Sequence, residues 1–165
     1  MFPTDTLYGF TADARHHGAV ERILDLKERR TPLSCIPPTK SWASQLVAME
    51  FRELYEQNID RYFGSYTSLW PASREQSLLH PLVQTQELIG LRFPNHWVRQ
   101  FSERTGIPLT TTSVNISGNA PMHSLASLDQ SLIPQIDFLL DEGALEHRAS
   151  TLVRCDTPEF LELQR

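Results

Sequence analysis

The chain has no hydrophobic run approaching the roughly 18 residues that span a bilayer, and its start shows neither the basic segment nor the apolar core of an export signal. A membrane-spanning or exported protein is therefore not expected, and a cytoplasmic location is. Cysteine is scarce. Cys35 and Cys155 stand far apart outside any CxxC pair, which argues against a zinc knuckle or a disulfide framework and for reduced thiols. The six histidines show no HExxH or similar ligand spacing, so helix-capping and surface roles are their default. Neither GxxxxGK(S/T) nor GxGxxG occurs, and any nucleotide must be held without those phosphate loops.

Positive charge is also in deficit. Fifteen Lys and Arg against twenty Asp and Glu give a formal net charge of -5, which excludes a surface built as a whole to hold phosphate backbones. A local cluster such as Lys27, Arg29 and Arg30 can still focus a positive field inside a cleft.

What is present is a chain of 165 residues with 40% hydrophobic content, enough for one sizeable core and a single domain. Residues 18–29 carry Val20, Ile23, Leu24 and Lys27 at helical spacing, stopped by Thr31-Pro32. Residues 33–36 form a short apolar run compatible with a buried strand. Ser41 is a candidate cap for a helix to about residue 49, and residues 51–62 place Leu54, Tyr55, Ile59 and Tyr62 on one face. Residues 66–70, 88–93 and 108–112 are rich in β-branched and apolar types and read as strands. Residues 97–105, ending at Gly106, read as a helix. Residues 138–140, 151–153 and 160–163 complete the strand candidates. Interleaved helices and strands indicate an α/β (α+β) domain with a mixed sheet.

Four segments carry chemistry. Pro3-Thr4-Asp5-Thr6-Leu7-Tyr8-Gly9 packs turn formers, hydroxyls and a carboxylate together, and reads either as a ligand loop or as a turn that bonds its own backbone. Lys27 and Arg29, at the end of the first helix, pair a point charge with a planar fork in the way that suits a triphosphate; on local grounds alone, a favourable helix-dipole position is the simpler explanation. Residues 110–118 crowd hydroxyls and Asn115 beyond a strand, where α/β sheets bind ligands, or cap a loop. Ser150-Thr151 opens a late strand.

Taken in order, these segments resemble the signature of the YrdC-like threonylcarbamoyl-adenylate synthase family. They comprise the PTDTxYG start, Lys27-Glu28-Arg29, Pro32-Leu33, Gly64-Ser65-Tyr66-Thr67, Arg92-Phe93-Pro94, Ser113-Val114-Asn115-Ile116-Ser117-Gly118 and Ser150-Thr151. The resemblance implies a twisted mixed sheet with surrounding helices and a basic central cavity. It implies a nucleotidyltransferase that joins L-threonine, bicarbonate and ATP into threonylcarbamoyl-AMP with release of pyrophosphate. A tRNA threonylcarbamoyl-transfer complex then uses that product. By position, Lys27, Arg29, Ser113 and Asn115 are the implied catalytic and nucleotide-binding set. Thr4, Thr6, Thr67, Arg92, Ser117, Ser150, Thr151 and Arg165 are the implied further binding residues. Mg²⁺ is expected, held chiefly by the ATP phosphates, with Asp5 the nearby carboxylate.

The sequence also departs from the family. Its members usually carry a helix and a strand before the PTDT segment, where this chain has Met1 and Phe2, so a YrdC-like domain lacking that strand, with an exposed sheet edge, is expected. The loop after Arg29 is short, and Phe63 stands where a proline usually precedes Gly64. These departures leave a second reading: a non-catalytic paralogue that binds double-stranded RNA, tRNA or a nucleotide through the same fold.

Overall fold

The computed structural model describes residues 1–28, 30–74, 78–85, 87–114, 122–157 and 159–163. Among them, β1 (Gly9–Asp13), β2 (Ser34–Ile36), β3 (Tyr66–Pro71), β4 (Leu88–Leu91), β5 (Leu109–Ser113), β6 (Thr151–Arg154) and β7 (Leu161–Leu163) make one mixed sheet. Their order across the sheet is β1-β5-β2-β4-β3-β6-β7. The pairs β2 with β4 and β3 with β6 are parallel and the remaining four are antiparallel.

Strand alternation sorts the side chains between two faces. On β3, Ser68 and Trp70 are fully buried on the core face, as are Ile89 and Leu91 on β4 and Cys35 on β2. The residues between them, Thr67, Leu69, Leu88, Gly90 and Ser34, all line a cavity on the opposite face. Trp70 meets Tyr55 edge to face, with centroids 5.3 Å apart, and this contact seats α3 (Arg52–Asn58) against the sheet.

Helix α1 (His17–Leu26) buries Val20, Ile23 and Leu24, as its periodicity predicts. It begins because the His16 ring accepts the Ala19 amide at 3.1 Å. It ends three residues earlier than the pattern suggests. Lys27 is the C-cap, and Glu28 follows in the left-handed region at φ 49°, which turns the chain out of the helix. Helix α4 (Trp97–Thr105) is capped by the His96 ring and stopped by Gly106 at φ 67°.

The expected helix from residue 41 to about 49 is a single turn and a half, α2 (Lys40–Ser44), capped by the Thr39 hydroxyl rather than by Ser41. A 3-10 turn, Met49–Phe51, precedes α3, and another, Ile59–Tyr62, follows it. The apolar run 138–140 is not a strand. Its backbone is tied to the N-terminal residue, with Leu140 N–H donating to Met1 O at 3.3 Å, and Phe138 is 74% exposed. Conversely, β1 is a strand that the sequence hides, because Gly, Ala and Asp in GFTAD give it little intrinsic preference. It forms because the threonine-rich β5 offers a full antiparallel register, from Gly9 opposite Ser113 to Asp13 opposite Leu109.

Candidate active site

The cavity on the sheet's second face has a volume of about 780 Å³. Its lining is drawn from the loop before β1, the end of α1, the start of β2, β3, the turn before β4 and β4 itself, the end of β5 and the start of β6.

One part is a buried knot of hydroxyls around a guanidinium. Phe2 and Gly9 close the loop between them with reciprocal backbone hydrogen bonds of 3.0 and 2.9 Å. Inside it, the Thr4 hydroxyl donates to Leu7 O at 2.8 Å and accepts the Thr6 and Leu7 amides at 3.2 Å each. The side chain thus bonds its own loop, as short hydroxyl side chains in turns do. Thr4 is 2% exposed and is absent from the described cavity lining; Thr6, one turn of loop further on, is part of it. Arg92, at the end of β4, reaches Asp5 Oδ1 at 2.6 Å, Thr6 Oγ1 at 2.5 Å and Thr4 Oγ1 at 3.2 Å. Thr67 on β3 and Ser150 ahead of β6 share a hydrogen bond of 2.8 Å, and both line the cavity. Thr151, the next residue, pairs with Tyr66 and by alternation faces away from Ser150.

The other part lies at the end of α1. Lys27 is 8% exposed, and its ammonium donates to Ser113 O at 2.8 Å, which puts a positive charge at the carboxyl end of β5. Ser113 is also in the lining. Arg29, Asn115, Ser117 and Arg165 lie outside the described residues. Of the expected set, the structure therefore brings Thr6, Lys27, Thr67, Arg92, Ser113 and Ser150 together in one cavity. Thr4 and Thr151 are beside it.

The lining contains residues that sequence reasoning did not single out. Ser34, Thr85 and Glu87 add polar groups, and Leu69, Val83, Leu88 and Leu152 join Leu33 of the Pro32-Leu33 motif in an apolar floor. Gly9 had a readable signal, a glycine at a strand start beside hydroxyl-rich neighbours. A Cβ on it would fall 2.4 Å from Thr111 Oγ1. Tyr8 also lines the cavity, while its phenol points the other way, donating to Gly143 O at 2.8 Å and accepting the Glu142 amide at 2.9 Å. Burial pushes that phenol's pKa up, against the opposing backbone hydrogen bond from Glu142, and it stays a neutral donor.

Cations and hydroxyls around an apolar floor suit a ligand with both anionic and planar apolar parts. Glu87 is the carboxylate among the described lining residues, and no three His, Cys, Asp or Glu side chains among the described residues are grouped to hold a metal ion.

Known proteins resemble this chain in sequence and in fold. The Sua5/YciO/YrdC family model, described as telomere recombination, matches residues 1–163. A threonylcarbamoyl-AMP synthase of Vibrio vulnificus is 26% identical over 166 residues, covering 97% of this chain and 88% of that protein. One of Haemophilus influenzae is 27% identical over 123 residues, covering 73% of this chain and 67% of that protein. The crystal structure of P. abyssi Sua5 complexed with L-threonine superposes on 98% of this chain with a TM-score of 0.82 at 24% identity. This chain spans about half of it, 48%. The E. coli YciO structure superposes on 99% of this chain, and 81% of its own, with a TM-score of 0.67 at 19% identity. These likenesses show the fold.

Proposed function

The chain belongs to the Sua5/YciO/YrdC family, and from that premise we propose that it is a threonylcarbamoyl-AMP synthase, joining L-threonine, bicarbonate and ATP with release of pyrophosphate. The observation that carries the reading is the convergence of Lys27, Ser113, Arg92, Thr6, Thr67 and Ser150 on one cavity of about 780 Å³. A likeness to an L-threonine complex supports the amino-acid half of the proposal.

In the net reaction the threonine amine and bicarbonate give a carbamate with loss of water. A carbamate oxygen then bonds to the α-phosphorus of ATP as the bond to pyrophosphate breaks. Such a step needs neutralised phosphates and two aligned reactants more than a protein nucleophile. Lys27, with Arg29 beside it in sequence, would neutralise the phosphates. Ser113 and, by resemblance, Asn115 and Ser117 would orient the nucleotide. Arg92, Thr6, Thr67 and Ser150 would hold the amino acid's carboxylate and hydroxyl, and by resemblance Arg165 would close that side. Mg²⁺ would enter on the ATP phosphates and add to their neutralisation; a lining of hydroxyls and cations, with Glu87 as its carboxylate, fits an ion carried by the nucleotide. The product would pass to a tRNA threonylcarbamoyl-transfer complex.

The test is pyrophosphate release from ATP that depends on both L-threonine and bicarbonate. Wild type should show that dependence and Lys27→Ala should lose it while remaining folded. If neither co-substrate changes the rate, and the folded protein instead binds double-stranded RNA saturably, the synthase reading fails and the binding paralogue replaces it.

A further inference from the structure

Glu21 sits on the exposed side of α1 and touches two segments far apart in sequence. Its Oε2 accepts Arg30 Nη1 at 2.7 Å, and its Oε1 accepts the His80 ring at 3.0 Å. Arg30 also approaches Asp25 Oδ1 at 3.4 Å, so the guanidinium is held from two points of the same helix. Arg30 is followed by Thr31, Pro32 and Leu33 of the cavity lining.

His80 belongs to the turn before β4. Its side chain is only 5% exposed, and its Nδ1 accepts the Leu82 amide at 3.1 Å. The proton of the neutral ring is thereby assigned to Nε2, aimed at Glu21. Leu82 O in turn accepts the Leu33 amide at 2.7 Å, and the turn carries Val83 and Thr85 into the cavity. The His17 ring, 4.7 Å from that of His80, packs against the same junction. One carboxylate therefore stands where the loop after Lys27 and the turn before β4 meet, and both segments wall the same side of the cavity.

We propose that Glu21 is a positioning residue for nucleotide binding: it fastens the wall made by residues 30–33 to the wall made by residues 80–85, and so fixes the place at which the loop after Lys27 meets the phosphates. This rests on the synthase reading for the identity of the ligand, but not for the existence of the clasp. The exposed Arg30 to Glu21 pair adds little to global stability, as exposed ion pairs do. Its consequence is local. Among the described contacts, the Thr6 hydroxyl bonds Thr4 and Arg92 and the Thr67 hydroxyl bonds Ser150, so the clasp leaves threonine binding alone.

The experiment compares Glu21→Ala, Arg30→Ala, their double variant and Glu21→Gln by two readouts. Hydrogen exchange without substrate should show residues 30–34 and 79–85 speeding up together in Glu21→Ala, with the sheet unchanged. Affinity for ATP should fall about fivefold in Glu21→Ala and no further in the double variant, while the KM for L-threonine stays within about twofold. Glu21→Gln keeps an acceptor for His80 and should recover most of the exchange protection at 79–85. Unchanged exchange at either segment, or an equal loss of ATP and threonine affinity, overturns the proposal. If the wild type releases no pyrophosphate, the synthase reading fails while exchange and ATP titration still decide the clasp.

Discussion

Asp5 joins the loop ahead of β1 to the end of β4 with both of its carboxylate oxygens: Oδ1 accepts the Arg92 guanidinium at 2.6 Å and Oδ2 accepts the Asn95 amide at 2.8 Å. The pair is largely withdrawn from water, with side-chain exposures of 8% for Arg92 and 12% for Asp5. Removing one partner of such a pair strands the other charge, at a cost of about 3 kcal/mol. Asp5→Ala should lower unfolding stability by about that amount in urea titration. It should also raise the KM for L-threonine, since Arg92, which bonds Thr6, loses its carboxylate anchor. A variant as stable as wild type would show that Arg92 is held by its other partners alone.

Thr67 and Ser150 share a buried hydrogen bond of 2.8 Å across the parallel pair β3 and β6. Thr67→Val keeps the shape and removes the hydroxyl, leaving Ser150 with one partner fewer, for a loss of about 1–3 kcal/mol. The proposed function adds a second outcome, a KM for L-threonine raised about tenfold with the KM for ATP unchanged. Equal effects on both substrates would remove these residues from the amino-acid end.

Gly9 permits β1 to lie against β5. A Cβ there would stand 2.4 Å from Thr111 Oγ1 and 3.2 Å from Thr112 O. Gly9→Ala should destabilise by about 1–3 kcal/mol in thermal or urea unfolding, as overpacked sites do. Adding Thr111→Ala removes the nearer clash and should return most of that loss. Failure of the second substitution to rescue would place the strain in the backbone contact.

Burial pushes the Cys155 thiol from its ordinary 9.0 up to about 12. Cys35, fully buried on β2, is raised further in the same direction by the same cause. A thiol whose folded pKa is raised keeps its proton longer in the folded state than in the unfolded one. Its contribution to stability is complete below pH 9 and is lost as pH rises toward 12. Wild type should therefore lose stability over that window more steeply than Cys155→Ala, read as the difference in midpoint between the two at each pH. Below pH 9, native protein should react with a thiol reagent only as fast as it unfolds. Parallel curves, or rapid labelling of the native fold, would contradict the burial argument.

Much of the architecture was legible where a local rule decides. The 3.6-residue spacing of Val20, Ile23 and Leu24 and the Gly106 stop predict α1 and α4. The β-branched run 108–112 predicts a strand that the structure places one residue further on, as β5. Of the six histidines, His16 and His96 cap helix starts as expected, while His80 is buried against Glu21. Local rules failed where a partner decides. The run 138–140 has the composition of a strand but bonds the backbone of Met1 instead of joining the sheet, and β1 lacks the composition and pairs along its whole length.

The candidate site divides in the same way. The resemblance carried by the ordered motifs was enough to single out Thr6, Lys27, Thr67, Arg92, Ser113 and Ser150, whereas the local chemistry of these residue types left ligand-binding and structural roles both open. Only tertiary structure decided that Thr4 bonds its own loop, that Asp5 holds Arg92, and that Glu87, Ser34 and Thr85 share the cavity. The PTDT segment shows why. A hydroxyl or a carboxylate has the same chemistry whether it faces a ligand or a neighbouring backbone, and which of the two it meets is fixed by strands brought together from opposite ends of the chain.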